Sequence, residues 1–305
     1  MSRTHRVARY ETALDFAERQ VAALVDRHPD YFPIYTTRGR WHHAGELWTD
    51  WTGGFLVGMM WQFHRRTGSA EWRARAEHYA QLLEHRKQDP HVHDLGFVFL
   101  NAYLPWYELT GDKRLLAVII EAGQTLSRRF QPQGQYLCSF VAPTSLFIDI
   151  MMNVPLIQYV ANQTLDQDLA RIAVAHCRTT RDRLVRPDGS TAHEGIFEPQ
   201  SGQFLRQSTH QGLRADSAWA RGLAWSLYGY SKMYALTDAV EFLHVSERNA
   251  EYWLNHLPAD RVPYWDFHAD LTLPPPQGAQ KESSAAAIAA SGLLDLAGQT
   301  RLPDR

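Results

Sequence analysis

The chain has little of several features that would place it quickly in a class of protein. Only two of its 305 residues are cysteines, Cys138 and Cys177, and they do not form a CxxC pair. This argues against a disulfide framework or a cysteine metal site, and it favours a reducing, cytoplasmic location. The first residues contain no uninterrupted apolar segment of the kind found in a secretion signal.

Charge and hydropathy argue against two classes of partner. Lysine and arginine number 31 against 33 aspartates and glutamates, which gives a net charge of −2. This balance offers no electrostatic basis for binding nucleic acid or an anionic membrane. The longest apolar run, FLVGMMWQF, is far shorter than the roughly 20 residues that a membrane span requires. We expect a globular protein with neither partner, and nothing in the sequence specifies its oligomeric state.

Apolar residues recur at helical spacing over most of the chain. The pattern predicts about ten helices, at residues 10–27, 52–66, 70–88, 94–109, 112–130, 145–163, 166–184, 216–236, 239–256 and 283–298. Two long stretches, 185–215 and 257–281, are rich in glycine, proline and aromatic residues and are predicted to be functional loops. No linker divides the chain, so residues 1–305 are predicted to form a single domain.

Four threonines mark turns between an apolar helix and a more polar one. They are Thr67, Thr110, Thr164 and Thr237, and we expect a serine or acidic residue two positions later to cap the next helix. A repeated pair of buried and exposed helices indicates stacked helical hairpins. The predicted fold class is therefore all-α, an α/α toroid whose inner helices surround a central cavity.

Two aspartates lie in apolar, aromatic-rich stretches: Asp94 in HVHDLGF and Asp149 in FIDIMMN. Burying a carboxylate costs several kcal/mol unless it is paired or hydrogen-bonded. Burial also raises a carboxyl pKa toward the range in which the group can donate a proton at neutral pH. Two such groups in one cavity are typical of enzymes that cleave glycosidic bonds. The structural alternative is that each caps a helix or pairs with a buried arginine.

Other candidates come from aromatic and polar positions around these aspartates. Trp51 precedes a glycine pair and could stack on a sugar ring or close the core. His193 lies among turn residues in a loop, where most histidines are solvated or structural. His91 and His93 flank Asp94, but no third and fourth ligand follow at a recognisable spacing, so we predict no metal.

One later helix presents a further polar group. Ser217, Arg221 and Trp225 are four residues apart and are predicted to share a helix face that binds substrate. An arginine on an otherwise apolar helix needs a carboxylate partner. The candidates are Asp149, a uronate of the substrate, or a structural residue such as Asp216.

Taken together, the motifs resemble the unsaturated glucuronyl hydrolase family. WTDWTGGF, HDLGF, IDIMMN, DGSTAH, THQG, WARGLAW, VPYWDF and SSAAAIAASGLL occur in the family's order between residues 45 and 298. The resemblance implies an (α/α)6 barrel that releases a Δ4,5-unsaturated uronic acid from the non-reducing end of oligosaccharides left by polysaccharide lyases. It implies neither a metal nor an organic cofactor.

The resemblance also implies roles for individual residues. Asp149 resembles the family's general acid and base, and Asp94 resembles its second essential aspartate. The residues that resemble subsite positions are Trp51, His193, Gln211, Arg221 and Trp225. The implied chemistry is hydration of a vinyl ether: Asp149 protonates C4, water adds at C5, and the resulting hemiketal opens and frees the remaining sugar.

The sequence departs from the family pattern at its C-terminal end. The family has twelve helices where we predict ten, so the domain is predicted to be short at its C-terminus, to lack the last helix pair and to have reduced stability. KESS at residues 281–284 stands where the family usually has an Arg-Asp-Ser-Ser-like stretch.

Three other functions are compatible with parts of the pattern. An unsaturated rhamnogalacturonyl hydrolase would share fold and chemistry but act on pectin fragments. A catalytically impaired glycan-binding barrel would keep the helices without turnover. A sugar epimerase of the same architecture would need paired histidine bases, for which His93 and His193 are poor candidates by context.

Overall fold

The computed structural model describes residues 3–42, 51–274 and 278–300, and helices make up most of them. The α-helices are α1 Arg3–Arg27, α2 Thr52–Thr67, α3 Ala70–Leu82, α4 Leu95–Ala102, α5 Leu104–Thr110, α6 Lys113–Ser127, α7 Val154–Thr164, α8 Gln167–Leu184, α9 Ala220–Thr237, α10 Val240–His256 and α11 Ser283–Gln299. Short 3-10 segments span Glu84–Gln88 and Ile148–Met152.

Strands form three small antiparallel sheets. They are β1 Tyr35–Thr37, β2 Arg40–His42, β3 Phe130–Gln131, β4 Tyr136–Leu137, β5 Ser145–Phe147, β6 Glu194–Phe197 and β7 Phe204–Ser208. β1 pairs with β2, β3 pairs with β4, and β6 lies between β5 and β7. In the third sheet, Phe147 at the end of β5 pairs with Glu194.

The chain divides into two compact units. One comprises residues 1–87 and 97–119, and the other comprises residues 88–96 and 120–305. In the first unit, Trp61 of α2 is buried and donates its indole N–H to the carbonyl of Ala102 at 2.9 Å. Arg66, at the end of α2, forms ion pairs with three carboxylates of α1: Glu11, Asp15 and Glu18.

In the second unit, α9 is the most central helix. It packs on α7, α10 and α11 and on the 3-10 segment that contains Asp149. Its buried apolar residues, including Leu223 and Leu227, share a core with Ala285 and Ala289 of α11. Small side chains on α11 allow the two helices to approach closely: a Cβ on Gly292 would lie only 2.5 Å from a Leu227 methyl. The small residues of α11 thus allow it to pack closely on α9.

The four threonines predicted to mark turns each end a helix. The hydroxyl of each donates to the carbonyl four residues earlier, at distances between 2.6 and 2.9 Å. The residue that follows each threonine has a left-handed backbone conformation that stops the helix. The acceptors and caps are therefore local, which explains why the sequence predicts these ends well.

Three of the four predicted caps accept a backbone N–H of the next helix. Ser69 accepts from Trp72, Asp112 accepts from Arg114, and Asp166 accepts from Asp168 and Leu169. The fourth prediction is wrong because position 239 is an alanine, which has no side-chain acceptor. The Thr237 hydroxyl accepts the Ala239 N–H, as the hydroxyls of Thr67 and Thr110 accept the N–H two residues later.

The predicted helix at 145–163 is wrong in its first part. Residues 145–147 form β5, the 3-10 segment follows, and α7 begins only at Val154. Pro155 explains the break, since in a continuous helix its ring would clash with the carbonyl of Met151. The predicted helix at 94–109 is similarly divided into α4 and α5, where Pro105 lies in the first turn of α5.

Other predicted bounds also change. The helix predicted at 216–236 begins at Ala220, because Ala218 and Ala220 form backbone hydrogen bonds with Phe267 and Trp265. The helices predicted at 70–88 and 112–130 end earlier, at Leu82 and Ser127. The loop predicted at 185–215 contains β6 and β7, and residues 275–277 of the other predicted loop lie outside the described part of the chain.

Two further sequence predictions can be compared with the described residues. Cys138 and Cys177 are free thiols, and both are buried. None of the helices that the structure describes is long and apolar enough to cross a membrane. That residues 1–305 form a single domain stays a prediction.

Candidate active site

Asp149 lies in the 3-10 segment directly after β5, in the second unit. Two hydrogen bonds hold the backbone around Asp149. The Ile148 N–H donates to the His193 carbonyl at 2.9 Å, and the side-chain amide of Asn153 donates to the Asp149 carbonyl at 3.3 Å. Helix α9 comes very close here, since a Cβ on Gly229 would lie 2.2 Å from the Met151 carbonyl oxygen. The segment is therefore fixed between a sheet and a central helix.

The carboxyl group of Asp149 is buried, with only 8% of the residue exposed. Its Oδ1 atom has no hydrogen-bond partner among the described residues. Burial raises the pKa of this carboxyl to about 7, against the opposing effect of the nearby positive charge of Arg221. Near neutral pH the group can therefore both donate and accept a proton, as a general acid and base must.

His193 lies against Asp149, just before β6. Its Nε2 atom is 3.8 Å from Asp149 Oδ1, and its Nδ1 atom accepts the backbone N–H groups of His210 and Gln211 at 2.9 and 3.1 Å. An Nδ1 atom that accepts N–H donors cannot hold a proton, so the neutral ring has its proton on Nε2. Burial lowers the pKa of His193 to about 3. The side chain is thus a neutral donor facing Asp149.

Asp94 precedes α4 and has a histidine neighbour of its own. Its Oδ1 atom lies 3.4 Å from Nε2 of His93, and His93 Nδ1 accepts the Phe140 N–H at 3.1 Å. As in His193, a backbone N–H that donates to Nδ1 leaves the ring proton on Nε2. In this second buried histidine, Nε2 also faces an aspartate. The ring of Phe147 contacts His93 at 5.8 Å and His193 at 4.5 Å between centroids. Phe147 thus connects the surroundings of the two aspartates.

Arg221, in the first turn of α9, lines a cavity of about 350 Å³. The residues that line this cavity are Gln211, Trp219, Arg221, Trp265, Gln280 and Glu282. The guanidinium donates to the Gln211 side-chain oxygen at 2.9 Å and forms an ion pair with Glu282. Its carbon Cζ lies 4.6 Å from the centre of the Trp219 ring. Two indoles with charged and amide groups suit a sugar ring that bears hydroxyl groups.

The direct partner of Arg221 is neither of the two aspartates considered in the sequence, and its pairing with a uronate of the substrate stays a prediction. Asp216 pairs instead with Arg214 at 2.7 Å, and Asp149 acts on Arg221 only through its charge. The direct partner is Glu282, 61 residues along the chain. Such a pairing depends on how α9 and the segment before α11 meet, so local sequence spacing could not reveal it.

Ser217 does not share a helix face with Arg221 and Trp225, because it precedes the start of α9. Its hydroxyl lies 2.6 Å from Asp266 Oδ2 and 2.8 Å from the Arg214 carbonyl oxygen. Trp225 lies one turn after Arg221 and is buried. Substrate binding by Ser217 and Trp225 stays a prediction.

Trp51 belongs to the first unit, immediately before α2. Its ring contacts Phe55 at 5.7 Å and Phe97 at 5.3 Å between centroids. These contacts show that the Trp51 ring packs against other aromatic side chains, as expected for a residue that closes the core. Its role against a sugar stays a prediction.

The structure adds residues that sequence reasoning missed as site members: Trp219, Trp265, Glu282 and the tautomer-fixed His93. Trp219 contacts both His193 and Arg221, and its position in WARGLAW, two residues before the arginine, was an available signal. Glu282 lies in the KESS segment that departs from the family pattern, but nothing in its spacing indicated a contact with Arg221. In the part of the chain that the structure describes, no three histidine, cysteine, aspartate or glutamate side chains are grouped so as to hold a metal ion.

Comparison with known proteins supplies the family. The model of glycosyl hydrolase family 88 matches residues 17–300. The unsaturated glucuronyl hydrolase of Formosa agariphila is 34% identical over 255 residues, which cover 81% of this chain and 63% of that protein. The enzyme of the same name from Bacillus sp. strain GL1 is 32% identical over 262 residues, covering 82% of this chain and 68% of that protein. The chain thus spans less than two thirds of the length of the first of these relatives.

Solved structures agree. The crystal structure of an unsaturated glucuronyl hydrolase specific for heparin has a TM-score of 0.86 and 30% sequence identity, covering 95% of this chain and 78% of that one. Such structures are α/α barrels, so the predicted all-α fold class is confirmed. The resemblance read from the sequence motifs is confirmed as well, and the chain belongs to glycosyl hydrolase family 88.

Proposed function

We propose that this protein is an unsaturated glucuronyl hydrolase. It hydrates the vinyl ether of a Δ4,5-unsaturated uronic acid at the non-reducing end of an oligosaccharide and so frees the next sugar. The substrate is a carbohydrate fragment produced by a polysaccharide lyase. The named relatives and family membership support this class of substrate. The two free, buried cysteines support a cytoplasmic location.

The observation that supports the chemistry most directly is the state of Asp149. Its Oδ1 atom is buried without a hydrogen-bond partner among the described residues, and burial places the carboxyl pKa at about 7. A carboxyl that served only structure would be paired or hydrogen-bonded, because burying it otherwise costs stability. A group that gives up a proton and then takes one back needs a pKa near the working pH.

The reaction needs one carboxyl group that works twice. Protonated Asp149 donates its proton to C4 of the C4=C5 double bond, and the positive charge that forms at C5 is shared with the ring oxygen. The Asp149 carboxylate then takes a proton from a water molecule as the water oxygen bonds to C5. The resulting hemiketal opens to a C5 ketone, and the hemiacetal left at C1 releases the remaining sugar. One water is consumed and Asp149 is again protonated.

The neighbouring groups would bind and orient the substrate. His193 Nε2–H, neutral and fixed in direction, would donate to a sugar oxygen or to the attacking water next to Asp149 Oδ1. Asp94 would accept substrate hydroxyl protons while His93 holds its orientation. Trp219 and Trp265 would provide apolar faces for a sugar ring in the cavity.

The test is loss of near-ultraviolet absorbance of the enol ether, measured on unsaturated chondroitin, hyaluronan and heparin disaccharides and an unsaturated rhamnogalacturonan disaccharide. The native chain should consume at least one uronyl disaccharide, and Asp149→Asn should lower kcat by about 10²–10⁴-fold. The matched control is Asp216→Asn, at an aspartate whose side chain is 78% exposed and pairs with Arg214.

Each other outcome contradicts a definite part of the proposal. Turnover of the rhamnogalacturonan disaccharide alone would assign the chain to the pectin-specific activity. Binding of the sugars by calorimetry without turnover, in folded protein, would indicate a glycan-binding module. Equal rates for Asp149→Asn and the native chain would remove Asp149 from the chemistry.

A further inference from the structure

We propose that Glu282 is a positioning residue: it holds Arg221 on Trp219 and neutralises its charge, so that Asp149 stays able to donate a proton. The inference rests on the proposed function, which uses Asp149 as the general acid. Glu282 itself touches no reacting atom in this account. It acts on the reaction through Arg221.

The carboxylate of Glu282 is built into the start of α11. Glu282 is the N-cap residue of that helix, where the positive end of the helix dipole favours an anion. The Ser284 hydroxyl donates to Glu282 Oε1 at 3.0 Å, and the Glu282 N–H donates to the Pro263 carbonyl at 2.9 Å. Only 12% of the side chain is exposed. The side chain of Glu282 is therefore fixed in position at the start of α11.

Arg221 is held by three groups at once. Glu282 pairs with Nη1, Gln211 accepts from Nη2 at 2.9 Å, and Trp219 lies under the guanidinium at 4.6 Å. The guanidinium is largely buried, and that burial lowers the pKa of Arg221. A buried cation without a carboxylate partner would be costly. Among the six residues that line the cavity, Glu282 is the one that bears a negative charge.

The positive charge of Arg221 acts directly against the function of Asp149, since it lowers the pKa that burial raises. A negative charge on Glu282 offsets that effect, because a neutralised ion pair has a weaker field than a lone cation. Without it, Asp149 would lose its proton at a lower pH. The site would then contain more carboxylate and less general acid at neutral pH.

Other charged and titratable groups near Asp149 do not perform this task. His193 is neutral, and His93 is also kept neutral by burial, which lowers its pKa. Glu194 faces His210, with 3.4 Å between its Oε1 and the histidine Nε2, and also binds the Ser145 hydroxyl. Asp94 faces His93. Of these groups, none contacts the Arg221 guanidinium in the described structure.

The experiment is a titration of Asp149 in the free, folded protein. Aspartate carboxyl carbons are labelled with ¹³C, the Asp149 signal is assigned by its loss in Asp149→Asn, and its pKa is measured by NMR in each variant. The variants are Glu282→Gln, which removes the charge, and Glu282→Asp, which keeps it. The control is Glu241→Gln, which removes a carboxylate of α10 that is paired with Arg178 and Arg181 of α8.

Glu282→Gln should lower the Asp149 pKa by roughly half a unit to one unit, and Glu282→Asp should restore it, while Glu241→Gln leaves it unchanged. The alkaline limb of the plot of kcat/KM against pH should move to lower pH by the same amount. An unchanged Asp149 pKa in a folded Glu282→Gln protein would overturn the inference. A shifted pKa in a protein with no turnover of any disaccharide would uphold it and contradict the proposed function instead.

Discussion

Oδ1 of Asp149 and Nε2 of His193 lie 3.8 Å apart, and neither atom has a hydrogen-bond partner among the described residues. The distance is too long for a direct hydrogen bond, and an oxygen atom to one side of the line that joins the two atoms could lie within hydrogen-bond distance of both. Because both side chains are buried and held by backbone hydrogen bonds, the gap between them is a fixed feature of the site. A proton-donating acid on one side and a neutral N–H on the other can position a reacting oxygen.

The protonation state of His193 can be measured directly. We predict that Nδ1 is unprotonated and Nε2 protonated, and that the ring does not titrate between pH 5 and 8, because burial places its pKa at about 3. ¹⁵N NMR of the histidine side chains distinguishes the two tautomers and the cation. The exposed side chain of His244 serves as the internal reference for a solvated ring. An imidazolium signal for His193 at pH 6 would contradict the assigned role.

Asp149 should reduce the stability of the fold at neutral and alkaline pH. Its pKa is about 7 in the folded state and near 3.9 in an unfolded chain, so the folded state binds the extra proton between these values. Stability therefore falls as pH rises from 4 to 7 and stays lower above 7. Asp149→Asn should raise the free energy of unfolding at pH 8 by on the order of 2–4 kcal/mol.

Denaturant unfolding at pH 4 and pH 8 tests this prediction, with Asp216→Asn as the exposed control. The gain for Asp149→Asn should be small at pH 4 and large at pH 8. An equal effect at both pH values would show that Asp149 is not a buried, proton-binding carboxyl.

Buried His176 should make the fold sensitive to acid. Its Nδ1 atom accepts the Leu137 N–H at 3.1 Å, and burial lowers its pKa to about 3. An unfolded histidine takes up a proton near pH 6.5, so stability is present above that value and is lost as pH falls toward 3. His176→Asn, whose side-chain oxygen can still accept the N–H, should flatten the pH dependence of unfolding between 6.5 and 4. A slope equal to that of the native chain would contradict it.

Gly229 should be intolerant of a side chain although it lies in a helix. Alanine usually stabilises a helix by roughly 0.5–1 kcal/mol relative to glycine. Here the added Cβ would lie 2.2 Å from the Met151 carbonyl oxygen, so Gly229→Ala must displace the segment that holds Asp149. We expect lower stability and lower kcat. In Gly298→Ala of α11, nothing lies within 4 Å of the new Cβ. This variant should have an equal or higher free energy of unfolding and an unchanged kcat.

The sequence predicted best what depends on neighbouring residues. The helix ends at Thr67 and Thr164 are predictable because the threonine hydroxyl, the left-handed residue that follows it and the cap of the next helix all lie within a few positions. The run around Asp149 was misread as helix because a short apolar stretch fits a strand, a 3-10 segment or a helix equally well. Pro155 indicates that a helix cannot continue through this segment. That residues 145–147 form a strand becomes clear only from their pairing with β6.

The sequence named several residues of the candidate site, but it indicated few of the contacts between them. Asp149, His193, Gln211 and Arg221 are brought together as expected. Their geometry depends on long-range backbone contacts, such as the two N–H groups that fix the His193 ring, which no local pattern shows. The contact between Glu282 and Arg221 was missed for the same reason, since it forms only when α9 and α11 pack together.

The origin of the hydrogen added at C4 tests the central claim most directly. Asp149 exchanges its proton with solvent and delivers it from one face, so a reaction run in D₂O and followed by NMR at early times should give a product with one deuterium at C4 in a single configuration. The native chain and Asp216→Asn should both incorporate it, while Asp149→Asn should form no such product on the same time scale. A product released with the double bond intact, as attack at the anomeric carbon would give, would contradict vinyl-ether hydration, and so would deuterium at C4 in both configurations in the earliest product.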